Sequence, residues 1–293
     1  MRRSLFLPEG CAPPFPQGQP ISALQIAMEQ SVILEGMAMR CDRYHDLHVR
    51  IGGYNGIIPR SEAVHSAITG AERDISLLAL VGKWISFTIT AITIDSAGRP
   101  LLRLSRRAAQ EQAIAWLFDH VEIGTVLPAR VTHLSDFGAF VDLGCGFLSL
   151  IPLQNLSVSR TGHPSARLHT GQQVLVLVTG IDRERSRLFL SHKELLGTWL
   201  QNAADFAPGD TVTGIVRGVR DYGVFIELTP NLCGLADSRT DLVPGDAVSV
   251  QIRSIRPEGH KIKLQVIQKL DTPPAVSEPR YFITDGIVKD WVY

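Results

Sequence analysis

The chain lacks most features of a reactive, secreted or membrane protein. Its four cysteines, Cys11, Cys41, Cys145 and Cys233, are scattered over 293 residues with no CxxC pair. That spacing builds neither a disulfide framework nor a zinc ribbon and is expected of reduced thiols. No apolar run approaches the roughly 18 residues of a bilayer-crossing helix. Met1-Arg2-Arg3-Ser4-Leu5-Phe6-Leu7 opens like a secretion signal, but Pro8, Glu9 and Gly10 end it before an apolar segment can form. An excess of one charge is missing as well, with 29 Lys and Arg against 29 Asp and Glu and a pI near 7.1. Non-specific duplex binders are usually strongly basic, so the balance argues against that class. A single-strand binder remains open, because stacking carries part of its affinity. Walker, HExxH and GxSxG patterns are absent. His133, His163, His169 and His192 show no metal-ligand spacing. The expectation is a soluble, cytoplasmic, non-enzymatic protein with no cofactor and no metal.

What the sequence does contain is a repeat. Ser135-Asp136-Phe137-Gly138-Ala139-Phe140-Val141 returns 85 positions later as Arg220-Asp221-Tyr222-Gly223-Val224-Phe225-Ile226. Each copy holds two rings at i and i+3 around a glycine, within strand-forming residues. Around the first copy, turn glycines and β-branched runs predict five short strands, with one long polar connection over residues 154–170 between the third and fourth. The second copy keeps the order. Gly124 to Gly209 is an offset of 85 and Gly171 to Gly245 one of 74, so 11 residues are lost in that connection, where shortening leaves a core intact. Residues 34–107 read as a degenerate third copy, with Gly82 opening the strand that matches those at Gly171 and Gly245. Short strands with one crossover per unit predict small closed barrels in tandem.

These residues resemble the RNA-binding repeat of ribosomal protein S-one, an OB-fold module. The middle segment carries the resemblance in Gly124, the Asp136–Val141 run, Gly171-x-x-Val174-x-Val176, Ile181-Asp182-Arg183 and Leu190-Ser191-His192-Lys193. The third carries it in Gly209-Asp210, Asp221-Tyr222-Gly223-Val224-Phe225, Gly234-Leu235 and Pro244-Gly245-Asp246. The first resembles it only in strand pattern, in Gly56-Ile57-Ile58-Pro59 and in Leu104-Ser105.

The implied fold is all-β, three tandem OB-fold five-stranded barrels joined by short helices. The expected parts are a flexible tail (1–20), a lead-in helix (21–33) with Ser22 as a candidate N-cap, a degenerate barrel (34–107) and a linker helix (108–121). Then follow a barrel (122–195), a linker (196–206), a barrel (207–270) and a C-terminal tail (271–293). The aromatics of that last tail predict that its end packs against something.

The resemblance also implies a site. The stacking rings are Phe137 and Phe140 in the middle segment, with Asp182 and Arg187 around the last turn. In the third segment they are Tyr222 and Phe225, with Arg256 and Lys261 around that turn and Asp237 at the third-strand position. Pro152 and Pro59 hold that position in the other two segments. His45 and His48 replace the rings in the first. Arg130 and Arg217 are expected to extend a positive groove, with Arg183 and Arg220 beside them. The implied partner is single-stranded RNA, mRNA in the setting of the small ribosomal subunit, with no membrane. An alternative stays open: an OB-fold adaptor that docks a ribosomal or RNA-processing protein.

Overall fold

A computed structural model describes residues 6–65, 77–271 and 278–293. The first five residues of the signal-like N-terminus and the Pro273-Pro274 pair of the C-terminal tail lie outside the described residues. Among the described residues, fifteen strands form three closed five-stranded barrels. The first holds β1 (Leu34–Cys41), β2 (Leu47–Ile51), β3 (Tyr54–Ile58), β4 (Trp84–Ile94) and β5 (Pro100–Ser105). The second holds β6 (Val126–Ser135), β7 (Gly138–Asp142), β8 (Leu148–Pro152), β9 (Gln173–Asp182) and β10 (Arg187–Ser191). The third holds β11 (Thr211–Arg220), β12 (Gly223–Thr229), β13 (Leu232–Ala236), β14 (Ala247–Arg256) and β15 (Lys261–Lys269). In each, the third strand runs parallel to the fifth and the other four pairings are antiparallel. This is the expected tandem OB architecture, and the first segment is as complete a barrel as the others.

Barrel closure has a repeated local cause. A β-bulge curls a strand and sharpens its twist. The first strand of every barrel is bulged at the same place, between Ala38 and Arg40, Val131 and His133, and Val216 and Gly218. The strand pairing with the fifth is bulged too, at Ile89/Ala91, opposite Phe189/Leu190, and at Ile252/Ser254. Inward positions alternate along each strand and fill three separate cores, for example Leu127, Ala129, Val131, Val141 and Leu190 in the second barrel.

The first linker helix, α2 (Arg106–His120), follows α1 (Ile21–Glu29). It is capped by the Ser105 hydroxyl, which accepts from the Ala108 N–H, and it buries Ala109, Ala113 and Leu117. The second linker contains α3 (Trp199–Ala203), which starts in a capping box made by Thr198 and Gln201. Ser22 does not cap α1. The cap position is Pro20, whose fixed φ suits a helix entry, and no side chain bonds there.

The tails depart from expectation in an informative way. Proline content predicts a flexible stretch over residues 1–20, yet residues 6–20 lie against the first two barrels. The Cys145 N–H donates to the Leu7 carbonyl, and Glu9 takes both arms of Arg106 at 2.8 Å. A buried guanidinium must find a carboxylate, and the tail supplies it. At the other end Tyr281 and Tyr293 tie the C-terminal segment to the second and third barrels. The Tyr281 hydroxyl meets His192 and the Leu175 N–H, and that of Tyr293 donates to the Asn231 carbonyl. Among the described residues no helix is long and apolar enough to cross a membrane.

Candidate nucleic-acid interface

The barrels share one outward row of side chains. Starting on the first strand of the second barrel, the paired residues are His133, Phe140, Leu150, Phe189 and Gly180. In the third barrel they are Gly218, Phe225, Leu235, Lys263 and Ser254. In the first they are Arg40, His48, Ile57, Arg103 and Ala91. Corresponding strands thus place Phe140, Phe225 and His48 at the same point of the same face.

The turn into β7 explains why the repeat reads aromatic-glycine. Phe137 ends the turn and stands 59% exposed, and Gly138 then starts the strand hard against β8. A Cβ on Gly138 would sit 2.2 Å from the Ile151 carbonyl oxygen, and one on Gly223 would sit 2.6 Å from that of Ala236. Only glycine allows the ring-bearing turn to close so tightly. The result is nearly identical in both copies. Phe137 and Phe140 lie 5.7 Å apart at 86°, and Tyr222 and Phe225 lie 6.1 Å apart at 89°. Tyr222 is 69% exposed. Edge-to-face packing holds each pair while leaving ring faces open.

Phe189 adds a third ring in the second barrel, 55% exposed, which the aromatic-glycine repeat does not mark. Its signal was the alternation of Arg187-Leu188-Phe189-Leu190, which sends Arg187 and Phe189 outward and the two leucines into the core. The ring fits because Gly180 lies beneath it. A Cβ there would come within 3.0 Å of Phe189 Cδ2. In the third barrel the same position is Lys263, which approaches the exposed carboxylate of Asp237 at 4.0 Å.

The remaining candidates divide by place. Arg187 and Lys261 are exposed at the starts of β10 and β15, opposite Asp182 and Arg256. Asp182 accepts the Arg185 N–H at 3.0 Å and so also closes its own turn. Arg130 lies away from the ring face. Its guanidinium donates to the Glu9 and Gly171 carbonyls at 2.8 and 3.2 Å, drawn there by the N-terminal segment. Arg217 is likewise committed, with two bonds of 2.9 and 3.0 Å to Glu227. Neither arginine is the free groove cation that its sequence position suggested.

The first barrel has no Phe or Tyr at the shared position. His48 there meets Asp42 at 2.9 Å, and hydrogen bonding from His48 holds the Asp42 carboxyl below its ordinary range. An exposed tyrosine stands nearby instead. Tyr44 lies in the β1–β2 turn with the Arg43 guanidinium 4.8 Å from its centroid. Among the described residues no group of three His, Cys, Asp or Glu side chains could hold a metal ion.

Five-stranded OB barrels in tandem, two of them with aromatic rings on the shared outer row, define the class of this chain. Residues 120–193 match the family model "S1 RNA binding domain", so the middle barrel belongs to that family. The chain is 36% identical over 159 residues to the small ribosomal subunit protein bS1 homolog of Bacillus subtilis, covering 53% of this chain and 41% of that protein. It is 36% identical over 195 residues to the small ribosomal subunit protein bS1 of Leuconostoc lactis, covering 64% of this chain and 43% of that one. The chain thus spans less than half the length of these relatives. A crystal structure of a multidomain protein with nucleic acid binding domains from Streptococcus pneumoniae aligns over 81% of this chain and 74% of its own. It shares 14% identity and a TM-score of 0.27, so the two chains superpose poorly as wholes.

Proposed function

We propose that the protein is a non-enzymatic binder of single-stranded RNA that works in translation at the small ribosomal subunit. The observation that carries this reading is the pair of exposed, perpendicular ring platforms, Phe137 with Phe140 and Tyr222 with Phe225, on matching faces of two barrels. A base stacked on an exposed ring gains about 1–3 kcal/mol whatever its identity. Perpendicular rings cannot hold two parallel bases, so the strand bends across each platform and its bases splay. That suits a flexible single strand and not a duplex. Arg187 and Phe189 continue the second barrel's face, and Lys261 and Lys263 supply cations on the third, where phosphates meet charge-assisted bonds. The similarity to bS1 proteins supports the ribosomal setting.

The adaptor reading keeps one observation in its favour. The first barrel carries His48 hydrogen-bonded to Asp42 where the other two carry phenylalanines, and a face without stacking rings is better suited to a protein. The two readings combine if the first barrel docks and the other two hold RNA.

A fluorescence-anisotropy titration against single-stranded RNA, single-stranded DNA and duplex RNA at two salt concentrations tests the proposal. The expected order is single strands well above duplex, with a modest salt slope from the few phosphates neutralised. Equal binding to duplex, or no binding to any of them, would contradict it.

A further inference from the structure

The second and third barrels enclose a cleft that neither forms alone. One cavity of about 490 Å³ lies between residues 160–166, in the long β8–β9 connection, and β11; Arg160, His163, Arg217 and Arg220 line it. A second of about 200 Å³ shares Arg160, Arg217, Gly218 and Arg220 and reaches Phe225. At the far end His163 approaches Asp136 at 3.7 Å, next to Phe137. The two cavities therefore run from the edge of one ring platform to the edge of the other.

The electrostatics of this passage are one-sided. Arg217 is neutralised only in part, because it shares the single carboxylate of Glu227 with Arg167, leaving the trio one charge positive. Arg220 donates only to the carbonyl of its neighbour Val219, and Arg160 has no hydrogen-bond or ion-pair partner among the described residues. Asp136 stands at the margin and is fully solvated. The walls are fixed. The Ser159 N–H donates to the Pro230 carbonyl at 3.1 Å and the Val158 N–H to Asn231 Oδ1 at 3.0 Å, which hold the connection on the third barrel. A preformed, positively charged passage between two stacking platforms fits a polyanion that stacks at both ends.

We infer that one RNA strand crosses this cleft, with Arg160 and Arg220 on the phosphates that link the bases stacked on the two barrels, so that the two faces act as one continuous site. The inference rests on the RNA-binding reading above. It distinguishes a pre-set path from two sites coupled only by a flexible tether.

The test uses the full chain with Arg160→Gln and Arg220→Gln combined. Both side chains are exposed, and an unchanged thermal unfolding curve checks that the variant folds. The probes are oligouridylates of about 5 nucleotides, enough for one barrel, and about 16, enough for both. The expected result is a loss of about tenfold for the long probe, less than twofold for the short one, and a salt slope shallower by about 0.7 for each phosphate that is no longer neutralised. Equal losses for both probes, an unchanged long-probe affinity, or displacement of the long probe by oligoglutamate at equal length would overturn it. If Phe137→Ala with Tyr222→Ala weakens binding while the arginine pair does not, the crossing falls and the stacking faces stand. If the wild-type chain binds neither probe, the underlying reading falls and the crossing with it.

Discussion

Arg167, in the long connection of the second barrel, closes a two-armed ion pair on Glu227 of β12 in the third, at 2.9 and 2.6 Å, with both side chains buried. Arg217 completes the trio from the other side. Burial pushes the Glu227 carboxyl up, but hydrogen bonds from Arg167 and Arg217 outweigh it and hold the group below its ordinary range. Removing one partner of a buried pair strands the other charge and costs about 3–5 kcal/mol. Glu227→Gln keeps the shape, strands two arginines, and is expected to lower stability by that amount in urea unfolding. A loss under about 1 kcal/mol, the range of a solvated pair, would mean that the trio is hydrated and does not lock the two barrels together.

His192 is buried between the second barrel and the C-terminal segment. Its Nδ1 lies 3.0 Å from the Leu156 carbonyl and its Nε2 3.0 Å from the Tyr281 hydroxyl. Carbonyls only accept, so Nδ1 carries the proton and Nε2 accepts from Tyr281, whose oxygen takes the Leu175 N–H. Burial pulls the His192 pKa down from 6.5 to about 4. Below pH 6.5 the unfolded chain therefore takes up a proton that the folded one refuses. This contribution is fully present above pH 6.5 and fades as the pH falls toward 4. Asp142 and Glu35 are raised to about 7, chiefly by burial, and act with the opposite sign, losing stability as the pH rises toward 7. The stability gap between wild type and His192→Gln isolates the histidine. It should shrink by about 2 kcal/mol between about pH 7 and pH 5, at roughly 1.36 kcal/mol per pKa unit. A gap independent of pH would contradict the buried neutral ring.

Phe189 tests whether the second barrel's ring face extends beyond the repeat. Phe189→Ala removes an outward ring beside Gly180 and leaves the core residues Leu188 and Leu190 in place. The fold should survive, and RNA affinity should fall by about 1–3 kcal/mol, fivefold or more, read by anisotropy. An unchanged affinity would confine the face to Phe137 and Phe140.

The three-barrel architecture was legible because glycine-opened, alternating strands recur at fixed offsets, and that pattern survives even where the first segment has lost its rings. The ring pairs were legible for the same reason, since Gly138 and Gly223 force the same turn twice. Phe189 was less legible because it stands outside the aromatic-glycine run, and only its alternation with Leu188 and Leu190 marks it as outward. Arg130 and Arg217 misled for a different reason. Their positions on the strands suit a groove, but each is satisfied by a partner outside its own strand, the Glu9 carbonyl and the Glu227 carboxylate, that no local pattern reveals. The order of residues 6–20 was illegible likewise, because prolines signal an irregular chain but not what it packs against.

Exposed rings on two barrels are proposed to hold single-stranded RNA. The most direct test is an anisotropy titration of one single-stranded RNA with the wild type and with Phe137→Ala combined with Tyr222→Ala, at fixed salt. Both rings are largely exposed, so the variant should fold normally. More than a tenfold loss of affinity with an unaltered unfolding curve is expected; equal affinity of the two proteins would contradict binding by the rings.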